Sequence, residues 1–223
     1  MIASTPRAGG TYLSKILWET GVLGRPAEYF NFHRTVFRLA ARFGTETPKD
    51  YLTAVVRART TANGVFAFKA HYDQLQFLLL TDLIKQFRQF KVIRMTRNDL
   101  IAEAVSFSRA IQTDGWTSSH PQSGSAPAYN VEHLNWCMDH LLKQKRGWGQ
   151  FFDTHALDYL TIDYNDLVMN PSGVANRVIQ ALGYPTAPKQ ESKHPEMTRQ
   201  ADTLNDEWIA RYRIDPNRID LKS

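Results

Sequence analysis

Apolar residues recur along this chain with two periods, and the two alternate. Four short runs rich in β-branched and aliphatic residues, Ile2–Thr5, Val65–Lys69, Val92–Met95 and Leu157–Ile162, read as strands. Between and after them lie longer segments whose apolar positions repeat at helical spacing. These carry Leu13, Ile16 and Leu17; Leu75, Leu78, Leu79 and Leu83; Leu100, Ile101, Ala104, Val105 and Ile111; Leu134, Met138 and Leu141; and Val174, Val178 and Leu182, with Gly183 as a stop. This alternation predicts an α/β fold around a parallel sheet. The first strand reads as clipped, as expected of a chain that has been shortened or starts late. The Ser- and Pro-containing stretch Thr117–Pro127 interrupts the pattern and is expected to be a loop, either a lid or a surface excursion. Without an internal repeat or a heptad tract, neither a solenoid nor a coiled coil is expected.

Composition narrows the picture. With 223 residues, 43% hydrophobic and 22% charged, residues 1–223 are expected to form one compact domain with a sizeable core. The excess of 27 Lys and Arg over 22 Asp and Glu gives a net charge of +5 and a pI near 9.3. Such a balance suits an anionic ligand but is too small and too evenly spread to indicate nucleic acid. No apolar run approaches the ~20 residues of a membrane span, and the first residues lack the pattern of an export leader. Cys137 is the only cysteine, which excludes an internal disulfide. A cytoplasmic protein is expected.

Two segments carry candidate chemistry. Ser4-Thr5-Pro6-Arg7-Ala8-Gly9-Gly10-Thr11-Tyr12 follows a strand and opens a helix. Glycines there let the backbone approach an anion, the helix N-terminus points N–H groups at it, Arg7 adds a charged contact and Thr11 a hydroxyl. An ordinary Gly-containing turn would read the same way. The Lys of a GxxxxGK[ST] nucleotide loop is missing, which counts against a magnesium-dependent kinase. The second segment, Lys91–Asp99, is a strand running into a helix, with Arg97 at its end and Ser106 about two and a half turns on. A surface Arg and a polar helix residue would give this pattern too.

Together these segments resemble the sulfotransferases that use 3′-phosphoadenosine-5′-phosphosulfate (PAPS), whose 5′-phosphosulfate loop reads close to TPRSGST. Ala8 and Gly10 stand where that pattern has Ser, leaving the backbone, Arg7 and Thr11 to hold the donor. The resemblance implies that Thr5, Pro6, Arg7, Ala8, Gly9, Gly10, Thr11 and Tyr12 form the donor loop and that Arg97 and Ser106 hold the 3′-phosphate. Leu160–Pro171 is similar to the family's Y-x-D-L segment, which places Tyr164 near the adenine, unless it is a half-buried structural Tyr. Gly21–Phe30, Ala104–Thr113 and Arg199–Arg213 extend the likeness to the bacterial Stf-type, trehalose 2-sulfotransferase-like branch. That branch implies a three-layer, P-loop-like fold with a central parallel sheet and helices on both faces, no metal, and a homodimer. It also implies a carbohydrate acceptor such as trehalose, a glycolipid or a lipopolysaccharide-type sugar.

Transfer of a sulfuryl group needs an in-line arrangement, a base for the alcohol proton and positive charge on the developing oxyanions. Arg7, Lys69 and the loop amides would form the electrostatic clamp. Lys69 either contacts the transferred group or pairs with a nearby carboxylate. Glu28 matches the branch's catalytic Glu and is the expected base. His71, in a K-x-H segment like that of cytosolic sulfotransferases, stands as a second acid–base group, an acceptor ligand or a surface residue. Arg199 either closes over the 3′-phosphate or lies on the surface. Arg109, Gln112 and Trp116 are candidate sugar contacts, or else helix surface and core. Adenosine 3′,5′-bisphosphate would be the product of the donor. A relative that binds donor or glycan without turnover is the alternative, motivated by Ala8 and Gly10.

Overall fold

A computed structural model of the protein describes residues 1–87, 91–116, 126–184 and 202–219. Ile2–Ala3 (β1), Lys69–Ala70 (β2), Val92–Thr96 (β3) and Tyr159–Asp163 (β4) form a parallel sheet in the order β2-β1-β3-β4. Ile2 lies opposite Lys69 on one side and Ile93 on the other, and Met95 lies opposite Ile162. The strand expected over 65–69 pairs only at its end. Phe66 and Phe68 before it turn into a ring cluster with Phe87, although the Phe68 carbonyl still accepts from the Ile2 amide at 2.8 Å.

Nine α-helices accompany the strands among the described residues: Gly10–Glu19 (α1), Val36–Phe43 (α2), Pro48–Arg59 (α3), Tyr72–Leu80 (α4), Leu100–Thr113 (α5), Val131–Thr154 (α6), Tyr164–Met169 (α7), Pro171–Ala181 (α8) and Thr203–Ile214 (α9). Helices α1, α4, α5, α6 and α8 coincide with the periodic segments of the sequence. Helices α2 and α3 bury few apolar positions, Val36 and Leu39 in one and Tyr51, Leu52 and Val55 in the other. Their polar remainder hides the period. Local capping fixes the start of α3 all the same: Thr47 accepts from the Asp50 amide ahead of Pro48, as Asp99 does from Ala102 at α5 and Asn130 from His133 at α6.

Strand residues alternate between two covered faces. Ile2, Ile93, Met95 and Ile162 pack on Leu13 and Leu17 of α1 and on Val174, Val178 and Ile179 of α8. Ala3, Ala70 and Val92 pack on the other side against Leu52 of α3, Leu75 and Leu78 of α4, and Trp148, Phe151 and Phe152 of α6. Each buried Leu, Ile, Val, Met or Phe among them contributes about 1.5–3 kcal/mol relative to exposure. The result is the α/β arrangement with helices on both faces. A further cluster joins α5, α6 and α9 through Val105, Phe107, Met138, Leu141, Trp208 and Tyr212. The chain leaves β1 toward β2 and then crosses to β3 on the other side of β1, so the loops after β1 and β3 part at a switch point. In open parallel sheets the crevice at the carboxyl ends of such strands is where ligands bind.

Candidate active site

The loop between β1 and α1 is held in a compact turn. The Ala8 amide bonds the Thr5 carbonyl at 3.3 Å, and Arg7 and Gly9 both adopt positive φ, 63° and 96°. A left-handed non-glycine residue is an uncommon conformation that clusters at functional sites. Gly9 caps α1, and the amides of Gly10 and Thr11 have no intrahelical acceptor, so their dipoles point out of the helix end. Glycine is required here by space as well. A Cβ on Gly10 would lie 2.7 Å from Ser4 Oγ and 3.0 Å from Lys69 Cδ, and one on Gly9 would lie 2.7 Å from the Tyr164 ring. Ser4 Oγ is buried without a hydrogen-bond partner. A cradle that bare, with outward amides, fits an anionic group such as a phosphosulfate.

Arg97, Ser106 and Tyr164 converge on this loop. The Arg97 guanidinium lies 4.6 Å over the Tyr164 ring centre and donates to the Arg7 carbonyl at 3.2 Å. Arg7 Nε donates to Ser106 Oγ at 2.9 Å, and its Nη1 donates to the Trp116 carbonyl. Burial, followed by the nearby charge of Arg97, lowers the Arg7 guanidinium to about 10, so it stays cationic at neutral pH. Two guanidinium groups this close create a local excess of positive charge that a bound anion would relieve.

Glu28 and Lys69 meet at the other end of the loop. Lys69, 5% exposed, pairs with Glu28 Oε1 and donates to Thr11 Oγ1 at 2.9 Å. Asn31 Nδ2 and Gln74 Nε2 both donate to the second oxygen, Glu28 Oε2, at 2.6 and 3.1 Å. Burial alone would raise the Glu28 pKa, but the charges of Lys69 and His71, with hydrogen bonds from Lys69 and Asn31, outweigh it and hold the carboxyl well below the usual range. His71 Nε2 stands 3.7 Å from Glu28 Oε1, beyond hydrogen-bond length. Burial brings its imidazole down to about 4, against the pull of the Glu28 carboxylate, so it is neutral at pH 7.

The candidate sugar contacts divide. Trp116 lies at the site, its carbonyl on Arg7, its indole N–H on Asp114 at 2.8 Å, and the Arg34 guanidinium 5.3 Å from its ring centre. Arg109 is engaged elsewhere: it donates to Asp202 at 2.5 and 2.9 Å and to Asn205, tying α5 to α9. Gln112 bonds both backbone groups of Ala128, at 2.8 and 3.1 Å, closing the approach to α6. Arg199 and most of the expected loop at 117–127 lie outside the described residues.

Sequence reasoning missed Asn31 and Gln74. Gln74 had a signal, since it stands three residues after the helix-capping His71 and accepts from the His71 amide at 3.2 Å. Glu103 and Lys145 were missed as well, and nothing local announces them.

The chain is similar to known proteins over nearly its whole length. The family model described as Stf0 sulphotransferase matches residues 1–215. The trehalose 2-sulfotransferase of Mycolicibacterium smegmatis is 28% identical, with 99% of this chain and 96% of that protein covered. That of Mycobacterium tuberculosis is 26% identical with the same coverage. The sulfotransferase domain from the Synechococcus PCC 7002 olefin synthase shares the fold, with a TM-score of 0.50 and 14% identity over 96% of this chain and 94% of that one. A family-model match over residues 1–215, nearly the whole length, leads to one conclusion: the chain belongs to the Stf0 sulphotransferase family.

Proposed function

We propose that this protein transfers a sulfuryl group from PAPS to a hydroxyl of a carbohydrate, with Glu28 as general base. The carrying observation is the position of Lys69, whose one ammonium touches both the Glu28 carboxylate and the Thr11 hydroxyl of the anion-binding loop. A base and an anion cradle joined by a single cation suits transfer to a hydroxyl, which needs alignment, a proton acceptor and positive charge on the developing oxyanions.

In this reading Gly9, Gly10, Thr11 and Arg7 hold the phosphosulfate end, Arg97 and Ser106 the 3′-phosphate, and Tyr164 the adenine. Glu28 Oε1 takes the proton of the acceptor hydroxyl as its oxygen forms a bond to sulfur. The bond from sulfur to the bridging oxygen breaks, and its electron pair stays on the phosphate, leaving adenosine 3′,5′-bisphosphate. Lys69 and the loop amides neutralise the charge that gathers on those oxygens. Paired as it is, Glu28 is a weak base. Drawing Lys69 toward the sulfuryl oxygens loosens that pair and raises the basicity of Glu28 as charge develops. Asn31 and Gln74 fix the far oxygen and so aim Oε1.

The test is a transfer assay with the purified protein, PAPS, and trehalose or another sugar acceptor, read by mass spectrometry. A sugar product gaining one sulfo group, together with release of the bisphosphate, supports the reading. Donor binding without any sulfated sugar, across a panel of sugars and glycolipids, would leave a binding protein instead.

A further inference from the structure

We infer that Glu103 and Lys145 form a positioning pair, which sets the loop after β1 and the loop after β3 at the spacing one donor molecule needs. The inference rests on the reading of those two loops as the donor site.

Glu103 lies on α5 and is 0% exposed, an unusual place for a carboxylate. The Thr5 hydroxyl donates to its Oε1, and the Lys145 ammonium, from α6, stands 2.8 Å from Oε2 as an ion pair. Lys145 also donates to the Arg97 carbonyl at 3.0 Å. One continuous chain of contacts therefore runs from Thr5, where the first loop begins, through Glu103 and Lys145 to Arg97, where the second begins. The shift on Glu103 has the same origin: burial raises its carboxyl, while Lys145 and the Thr5 hydroxyl oppose the rise.

Stability gives little reason to keep such a pair, because apolar residues of the same volume often serve a core as well or better. Its two ends point to another reason. The anchors fall on one stretch of α6, where Gln144 accepts from the Tyr72 amide at 2.6 Å, Lys145 holds Arg97, and Trp148 Nε1 donates to the Ser4 carbonyl at 3.1 Å. Those three partners follow β2, β3 and β1 in turn. A rigid helix thus registers the carboxyl ends of three strands, and Lys145 with Glu103 supplies the charged part of that registration. Neither side chain is assigned contact with donor or acceptor.

The test measures adenosine 3′,5′-bisphosphate affinity by titration calorimetry, donor and acceptor KM, and melting temperature. It compares wild type with Lys145→Met, Lys145→Arg, Glu103→Gln and the Glu103→Gln/Lys145→Met double variant. Lys145 is part-exposed, so its variants are expected to fold. Loss of a charged hydrogen bond predicts about a tenfold weaker bisphosphate affinity and a similar rise in donor KM for Lys145→Met, with acceptor KM unchanged. Lys145→Arg recovers most of that loss, and the double variant is no worse than the more damaged single one. Unchanged affinity in Lys145→Met, or donor and acceptor KM rising together, would overturn the inference. If wild type itself fails to bind the bisphosphate, the donor reading falls first and takes the pair with it.

Discussion

Lys69 reaches the Thr11 hydroxyl at 2.9 Å with the same ammonium that pairs with Glu28. The contact joins two parts of the chain nearly sixty residues apart, the start of α1 and the first residue of β2. Gly10 makes it possible, since any side chain there would meet Lys69 Cδ and Ser4 Oγ.

Gly10→Ala therefore tests the cradle sterically. Its Cβ would crowd a buried hydroxyl and a buried lysine stem, and overpacking of this kind costs about 1–3 kcal/mol. Turnover should fall more steeply than stability, because displacing Lys69 disturbs the loop and Glu28 together. Differential scanning calorimetry and a transfer assay on the same sample separate the two effects.

Glu28→Gln keeps the shape and the partner at Lys69 but cannot accept a proton. Its turnover should drop about 100- to 10,000-fold, as expected for loss of a general base, with bisphosphate affinity held near that of wild type. His71→Gln, by contrast, should keep substantial turnover. If His71→Gln is inactive and Glu28→Gln is not, the base is His71.

The pH dependence follows from the two shifts. Glu28 is held below the ordinary carboxylate range, so the acid limb of kcat/KM should lie below it too. Removing the Lys69 charge in Lys69→Met should move that limb upward, alongside a large loss of rate. For His71 the folded value, about 4, lies below the ordinary 6.5, so the unfolded chain binds more protons in between. Its contribution to stability is present above pH 6.5 and is lost as pH falls toward 4. Melting temperatures between pH 4 and 7 should show a decline that His71→Gln flattens.

Arg109→Ala should behave as a structural variant. Losing its bonds to Asp202 and Asn205 unties α5 from α9. The melting temperature should drop, while acceptor KM stays close to that of wild type. A selective rise in acceptor KM would return Arg109 to the sugar site.

Much of this arrangement could be read from the sequence, and the remainder follows a physical rule. Strands β1, β3 and β4 were legible as short runs rich in β-branched and aliphatic residues, and the long helices because their apolar faces repeat over several turns. Arg97, Ser106 and Tyr164 were legible as a set through their resemblance to the sulfotransferase pattern, and the structure brings them together beside Arg7. Asn31 and Gln74 were obscure because their role exists only once α4 folds back beside Glu28. Glu103 and Lys145 were more so: 42 positions separate them, and nothing in either neighbourhood marks a buried ion pair. Arg109 and Gln112 stayed ambiguous for the opposite reason, since polar residues near a loop look alike whether they meet a ligand or another helix.

Donor recognition is tested most directly by thermal denaturation with adenosine 3′,5′-bisphosphate, set against ATP with and without magnesium. At a hundredfold its dissociation constant a ligand adds ~2.7 kcal/mol to stability, enough to move the midpoint visibly. Stabilisation by the bisphosphate without metal, little by ATP, and loss of the shift in Arg97→Ala are expected. Stabilisation by magnesium–ATP alone would rule out PAPS as the donor.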